Sequence, residues 1–150
     1  MENITIKKIS KNDIPIILGL LYDLGRPKPQ KDSDVDSFKK LVMTYVTDSD
    51  KQILAAVYND VKIVGMISMM FLSRLNRDTL EMYVPELVVL EKYHNQGIGK
   101  KLINSCIEFA KEKNCHRIRL ESGNSRKNSH EFYKHLGFVQ SAFSFTKDLD

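Results

Sequence analysis

The stretch HNQGIGKK, residues 94–101, places two glycines and two lysines at the start of a helical pattern. Glycine lets another group come close to the backbone, and the first amides of a helix have no helical acceptor and lie at the positive end of the helix dipole. Such amides bind anions, phosphate above all. The stretch therefore predicts a phosphate or pyrophosphate site, although a glycine-rich turn that binds nothing has the same spacing.

Two familiar nucleotide-binding loops do not fit this stretch. The dinucleotide pattern GxGxxG requires a third glycine where the chain has Leu102. The pattern GxxxxGK followed by serine or threonine, placed on Gly99, requires a glycine and a hydroxyl where the chain has His94 and Lys101. A helix N-terminus that wraps around a pyrophosphate is the arrangement that remains.

Composition narrows the class of protein. The chain has 150 residues, which suits one domain over residues 1–150 that buries about two thirds of its unfolded surface. Its net charge of +4 is spread without a basic block, so we expect no nucleic-acid partner. Cys106 and Cys115 lack zinc-like spacing and predict reduced thiols without a metal. With no leader pattern and no apolar run of membrane length, we expect a cytoplasmic protein.

Hydrophobic periodicity predicts the elements that position the glycine stretch. In order they are a strand over 3–9, a helix from Ile14 closed by Gly25, a helix over 35–47, a hairpin of two strands around the turn NDVK, a strand over 80–89, a helix from Ile98, a strand over 116–121, a short helix stopped by Gly137, and a final β segment. Pro85 removes a ladder donor, so we expect a bulge or a lost partner there. The strand–helix–strand unit over 80–121 is long enough for a crossover, which predicts a mixed α/β sheet.

Two runs resemble the signatures of the GNAT N-acetyltransferases. PELVVLEKYHNQGIGKKLI, residues 85–103, resembles the acetyl-CoA motif Q/R-x-x-G-x-G/A after a strand end, and SGNSRKNSHEFYKHLGF, residues 122–138, resembles the signature that ends in FY…GF. The predicted element order agrees with that family. The resemblance implies a GNAT-like acyl-CoA N-acyltransferase fold, with a six- to seven-stranded mixed sheet flanked by about four helices. It also implies acetyl-CoA as co-substrate, without a metal.

The resemblance assigns a role to each matching position. The backbone of Leu87, Val88 and Val89 would pair with the pantetheine arm of CoA. Tyr133 would protonate the departing CoA thiolate, while a core aromatic is the alternative for that residue. The remaining cofactor-binding positions that the two motifs imply are His94, Asn95, Gln96, Gly97, Ile98, Gly99, Lys100, Lys101, Asn124 and Arg126.

Three of these positions depart from the family pattern. The family most often has arginine or glutamine in place of His94, and often glycine in place of Asn95. A histidine supplies less fixed positive charge at neutral pH, so we expect the helix amides and the pair Lys100-Lys101 to compensate. Many members have asparagine at the position of Arg126, which here either contacts the cofactor or is a solvated first-turn residue.

Acetyl transfer to an amine requires a base, a group that stabilises the oxyanion and a proton for the thiolate. Glu86, beside the predicted break in the strand, is the candidate base. Glu81 or a water chain is the alternative base. Glu86 could equally be an exposed strand glutamate without a catalytic role. If the family geometry holds, an amide near Val89 would polarise the acetyl carbonyl.

The acceptor is expected to meet the first two helices, their loop around Arg26 to Asp34 and the turn near Leu72 to Asp78. Carboxylates there would attract a cationic amine, and the segment carries Tyr22, Asp23, Asp32, Asp34 and Asp36. We therefore predict an enzyme that transfers acetyl from acetyl-CoA to a primary amine of a small molecule or peptide by direct attack in a ternary complex. A catalytically inactive acyl-CoA-binding regulatory module is the alternative. A homodimer is compatible with either.

Overall fold

The computed structural model describes residues 3–150, which form six strands and four α-helices. In chain order these are β1 Ile4–Lys8, α1 Ile14–Leu24, α2 Asp32–Thr47, β2 Lys51–Tyr58, β3 Lys62–Ser73, β4 Leu80–Val84, β5 Leu87–Val89, α3 Ile98–Glu112, β6 Cys115–Leu120 and α4 Lys127–His135. The described residues up to Arg119 form one compact unit, and Leu120–Asp150 form a second.

The strands form one mixed sheet in the order β1-β2-β3-β4-β6, and this confirms the predicted fold class. The long strand β3 pairs with β2 along one edge and with β4 and then β5 along the other, always antiparallel. Strand β6 lies beside β4, and α3 connects this part of the sheet to it, as the predicted crossover requires.

The predicted interruption near Pro85 is confirmed. On β3, three steps lead from Met70 to Ile67, while four steps lead from their partners Tyr83 to Leu87. One extra residue is therefore inserted between β4 and β5, which makes a bulge around Pro85. Proline fits there because it has no N–H to donate to the ladder.

Helices cover both faces of the sheet in the first unit. On one face, Ile17 and Leu18 of α1 join Met66 and Val88 of the sheet in a buried cluster. Helix α3 buries its apolar stripe, and its Cys106 Sγ lies 3.1 Å from Met82 Sδ of β4. Burial raises the pKa of the Cys106 thiol to about 12, so this cysteine is an inert packing residue.

Two predicted elements need correction. Helix α2 begins at Asp32 rather than at residue 35, because Asp32 and Asp34 suit the positive first turn and the Gln30 N–H donates to Asp34 Oδ2 at 3.0 Å. The final β segment was wrong: residues 138–150 form neither strand nor helix, and Phe143 and Phe145 are 81% and 91% exposed. The glycine stop at Gly137 predicted a β segment after the helix, but a strand also needs a hydrogen-bonded neighbour.

Candidate active site

The amides of the glycine stretch have the predicted arrangement at the start of α3. Gly97 precedes the helix with φ +79°, a left-handed conformation that glycine adopts without strain. The N–H of Lys101 donates to the Gly97 carbonyl at 3.1 Å, which is the first helical bond. The amides of Ile98, Gly99 and Lys100 come before it and have no helical acceptor, so they are available to an anion.

Side chains tie this loop to the sheet. The exposed ring of His94 donates its Nε2–H to the carbonyl of Val89 at 2.6 Å, which links the loop to the end of β5. The Lys101 ammonium group donates to the Ile4 carbonyl of β1 at 3.4 Å, so this charge is engaged at the neighbouring strand. Lys100 is exposed. We expected the pair Lys100-Lys101 to compensate for the weaker charge of His94. Lys101 contacts β1, so Lys100 is the member of the pair whose ammonium group does not make that contact.

The register of β5 decides which of its backbone groups are accessible. Leu90 N–H donates to Val64 at 2.8 Å, and Ser68 N–H donates to Glu86 at 2.9 Å. Hydrogen-bonded pairs alternate along an antiparallel ladder, so Val88 faces β3, whereas the backbone groups of Leu87 and Val89 face away from it.

Within the described part of the chain, β5 pairs with β3 alone, so its outer edge is open to an added strand. Gly65 allows the backbones of β3 and β5 to lie close together. A Cβ built on Gly65 would lie 2.9 Å from the Val88 carbonyl oxygen, so a larger residue there would displace β5. Of the three residues expected to meet pantetheine, Leu87 thus has both polar backbone groups accessible, and Val89 has its N–H, because the Val89 carbonyl already accepts from His94.

Glu86 lies at the bulge in a network of hydrogen bonds. Its backbone N–H donates to the Ser68 hydroxyl at 3.0 Å, and that hydroxyl donates to the Glu86 Oε1 at 2.5 Å. Arg26 donates from Nη2 to the Glu86 Oε2 at 3.1 Å and to the Pro85 carbonyl at 3.1 Å. The Glu86 side chain is 18% exposed, so the carboxylate is oriented on both oxygens while solvent or a substrate can still reach it.

Tyr45 of α2 completes the surroundings of this carboxylate. Burial, with a smaller contribution from the Glu86 charge, raises the pKa of Tyr45 to about 12, so this phenol stays protonated at neutral pH. Arg26 reaches the bulge because Gly25 ends α1 and the Arg26 N–H donates back to the Leu21 carbonyl at 3.0 Å. Arg26, Ser68 and Tyr45 were missed in the sequence, where Ser68 stands out as a polar residue within the apolar run IVGMISMMF.

Glu81, the alternative base, has a different environment. Its side chain is fully buried, and the Nε–H groups of Arg117 and Arg119 donate to its two oxygens. Burial alone would raise the pKa of Glu81, but the hydrogen bonds and charges of these arginines outweigh it and hold the pKa below its usual value. A carboxylate that is enclosed and doubly paired is a poor proton acceptor.

The second unit holds the remaining predicted residues. Asn124 lies in a turn before α4, and Arg126 is the N-cap residue of that helix. A hollow of about 310 Å³ at this helix start is lined by Ser125, Arg126, Lys127, Asn128 and Ser129.

Tyr133 packs edge-to-face against Phe132 and Phe138, with ring centroids 5.2 and 5.7 Å away. Burial raises the pKa of Tyr133, although the charge of Arg126 opposes this. A protonated phenol is therefore available at neutral pH, as a proton donor to a thiolate requires.

The acidic segment expected to attract the acceptor has a structural role in part. Asp34 accepts the Gln30 N–H described above, and both Asp32 and Asp34 stabilise the first turn of α2. The carboxylate that faces the α1–α2 side with a partly accessible oxygen is instead Glu86, from the sheet.

A mixed sheet with a bulged strand, an open strand edge and an amide loop at a helix start defines a protein of the acyl-CoA-binding class. Residues 19–138 match the model of the Acetyltransferase (GNAT) family, so the chain belongs to this family.

Two curated relatives of this chain are named as N-acetyltransferases. The chain is 34% identical over 88 residues to an aminoalkylphosphonate N-acetyltransferase of Salmonella typhimurium, covering 59% of this chain and 57% of that protein. It is 26% identical over 143 residues to an uncharacterized N-acetyltransferase of Methanocaldococcus jannaschii, covering 93% of this chain and 62% of that protein. The chain thus spans only about three fifths of the length of these curated relatives.

Among solved structures, a transcriptional regulator from Bacillus halodurans superposes with a TM-score of 0.87 at 25% identity, covering 98% of this chain and 100% of that one. An aminoglycoside N-acetyltransferase in complex with CoA superposes with a TM-score of 0.85 at 15% identity, covering 99% and 96%. The second likeness concerns the fold alone. Among residues 3–150, no helix is both long and apolar enough to cross a membrane.

Proposed function

We propose that this protein transfers the acetyl group of acetyl-CoA to a primary amine of a small molecule. The observation that carries the proposal is the combination, within one unit, of the open edge of β5, the amide loop at α3 and the oriented carboxylate of Glu86 at the bulge between β4 and β5. Pantetheine would pair with the backbone groups of Leu87 as an added strand, which leaves the Val89 N–H for the thioester carbonyl. The pyrophosphate would bind the free amides at the start of α3, those of Ile98, Gly99 and Lys100.

The reaction proceeds by direct attack in a ternary complex. The neutral amine nitrogen attacks the thioester carbonyl carbon, an N–C bond forms, and the Val89 N–H donates to the developing oxyanion. Glu86, directly or through one water molecule, accepts the proton that the amine loses. The C–S bond then breaks, and Tyr133 donates its phenolic proton to the CoA thiolate.

Arg26 refines the kind of acceptor that suits this site. Its guanidinium group is about half exposed and already pairs with Glu86, so a cationic amine approaching Glu86 meets a fixed positive charge. An acceptor that also carries an anionic group would be favoured, because that group can pair with Arg26 while the amine reaches Glu86. The relative from Salmonella typhimurium is named for an acceptor class of this kind, the aminoalkylphosphonates.

The test is a thiol-release assay with acetyl-CoA and a panel of amines. The panel should contain aminoalkylphosphonates, amino acid derivatives, polyamines, aminoglycosides and a peptide with a free N-terminus. We expect turnover with at least one small amine, and higher kcat/KM for acceptors with an anionic group. Transfer to the peptide alone would contradict the small-molecule proposal.

A regulatory module that binds acyl-CoA without catalysis is the second candidate, because the similar structure from Bacillus halodurans is named a transcriptional regulator. It predicts CoA binding, measured by calorimetry, without thiol release for any amine in the panel. Both candidates place the protein in the cytoplasm, where reduced thiols such as the free Cys106 and Cys115 are usual. A homodimer without a nucleic-acid partner stays a prediction for either.

A further inference from the structure

A second cluster of charge lies at the opposite end of the sheet from the acetyl-CoA loop. Its members surround a hollow of about 470 Å³ and, among the described residues, are Arg74, Leu75, Arg77, His116 and Arg117. The hollow is formed by the turn between β3 and β4 together with the start of β6. Its volume falls in the range of small-molecule sites.

The β3 ladder measures the separation between the two sites. Gly65 pairs with Val89 beside the loop, and Ser73 pairs with Leu80 beside the hollow. Eight residue steps along β3 separate Gly65 from Ser73, which corresponds to about 27 Å. A ligand in the hollow is therefore distinct from a CoA molecule whose pyrophosphate lies at α3.

The charges around the hollow are not balanced. Arg74, Arg77 and Arg117 contribute three guanidinium groups. Glu81 underneath pairs with Arg117 and, at 4.0 Å, with Arg74, but its single charge can offset at most one of them, and it also pairs with Arg119. The residues that line the hollow, within the described chain, include no carboxylate. Clustered like charges repel one another, so an anionic ligand would lower the free energy of this region.

The hydrogen bonds of the cluster leave ligand-binding groups available. Arg117 uses its Nε–H for Glu81, which fixes the guanidinium plane while the terminal Nη groups can still donate. Thr79 Oγ1 lies 3.0 Å from His116 Nδ1, so Nε2 is the ring nitrogen that can serve a ligand. Leu80 N–H donates to the Asn114 carbonyl at 3.3 Å, which holds the turn against the start of β6.

We propose that this hollow is a second binding site, for a small anion with several phosphate-type oxygens. Guanidinium groups bind phosphate through paired N–H donors, and three of them converge here with an imidazole. A concave site with few arginines suits a small ligand, whereas an RNA or DNA strand would require a longer basic surface.

The probe is pyrophosphate, titrated calorimetrically into the full chain in the presence of saturating CoA so that the α3 loop is occupied. The double variant Arg74→Gln/Arg77→Gln removes two charges from the hollow, and Lys39→Gln/Lys40→Gln removes two exposed charges from α2 as the matched control. Since each charge-assisted hydrogen bond is worth a tenfold or larger change, we expect the first variant to raise the Kd at least about tenfold and the control to change it less than about twofold.

A single variant and thermal unfolding separate a loss of pyrophosphate binding from a loss of folding. Arg77→Gln alone leaves the Glu81 pairs intact, and thermal unfolding of each variant separates lost binding from lost folding. Absence of pyrophosphate binding to the wild type, or an equal loss in both double variants, would overturn the proposal. Binding of a single-stranded oligoribonucleotide with steep salt dependence, without pyrophosphate binding, would overturn it in favour of a nucleic-acid surface.

Discussion

Glu81 on β4 and Glu86 in the bulge before β5 lie five positions apart, yet the fold gives them different surroundings. Glu81 is fully buried and paired with Arg117 and Arg119, whereas Glu86 is 18% exposed and held by Arg26 and Ser68. The number of paired cations and the access of solvent decide whether a carboxylate stabilises the structure or exchanges a proton. The distance of each glutamate from the cofactor motif along the sequence does not decide this.

The largest expected effect is on catalysis. Glu86→Gln keeps the shape of the residue and its contact with Ser68 but removes the proton acceptor, so we expect kcat/KM to fall about 10³-fold, about 4 kcal/mol of transition-state free energy. Steady-state thiol release measures this, with Glu112→Gln as the surface control. Activity of Glu86→Gln within about threefold of wild type would reassign the base.

Glu81→Gln should act on stability instead. It leaves two arginine charges without their buried counterion, so we expect the free energy of unfolding to fall by about 3 kcal/mol, whereas Glu86→Gln should lower it by less than about 1 kcal/mol. Urea denaturation of both variants measures the two losses of unfolding free energy directly. Equal losses would show that the two carboxylates are structurally equivalent.

The pH dependence of unfolding sharpens the same contrast. Because folding lowers the pKa of Glu81, its stabilisation is complete above the ordinary value of 4.5 and is lost as the pH falls through the folded-state value. The wild type should therefore lose stability more steeply below pH 4.5 than Glu81→Gln does. Parallel curves for the two proteins would mean that other carboxylates govern acid unfolding.

Tyr133→Phe tests the second unit. Removing the phenolic proton donor should lower kcat about 10²-fold, while the KM for acetyl-CoA stays within about twofold. Because burial keeps the pKa of Tyr133 above its ordinary value of 10, we expect the wild-type rate to show no loss from this group between pH 7 and 9.5. Tyr93→Phe is the matched control. Unchanged kcat in Tyr133→Phe would support the packing role instead.

The smallest expected effect concerns His94. If its ring helps bind the pyrophosphate, His94→Arg, which supplies a fixed positive charge at the same position, should tighten CoA binding a few-fold. Calorimetry of CoA binding provides the measurement, with His135→Arg as the control. Equal CoA affinities of the wild type and His94→Arg would leave His94 only its hydrogen bond to Val89.

Periodicity and the proline were sufficient to predict the sheet, the helices and the bulge, because those features depend on local spacing. The glycine stretch likewise predicted the amide loop, since a helix start needs only nearby residues. Neither signal could reveal that Arg26, sixty positions from Glu86, would pair with it. The missing strand after Gly137 has the same cause, because a glycine stop indicates where a helix ends but does not show that a neighbouring strand is available.

The bulge at Pro85 has a consequence for the faces of the sheet. Side chains alternate along a strand, so Met82 and Glu86 would share a face if β4 and β5 were continuous. Met82 lies against Cys106 of α3, and one inserted residue reverses the alternation, which turns Glu86 towards Arg26 and the α1–α2 side. If β4 and β5 were instead paired with β3 as one regular strand with every residue retained, the proposed base would lie on the opposite side of the sheet although no side chain had changed.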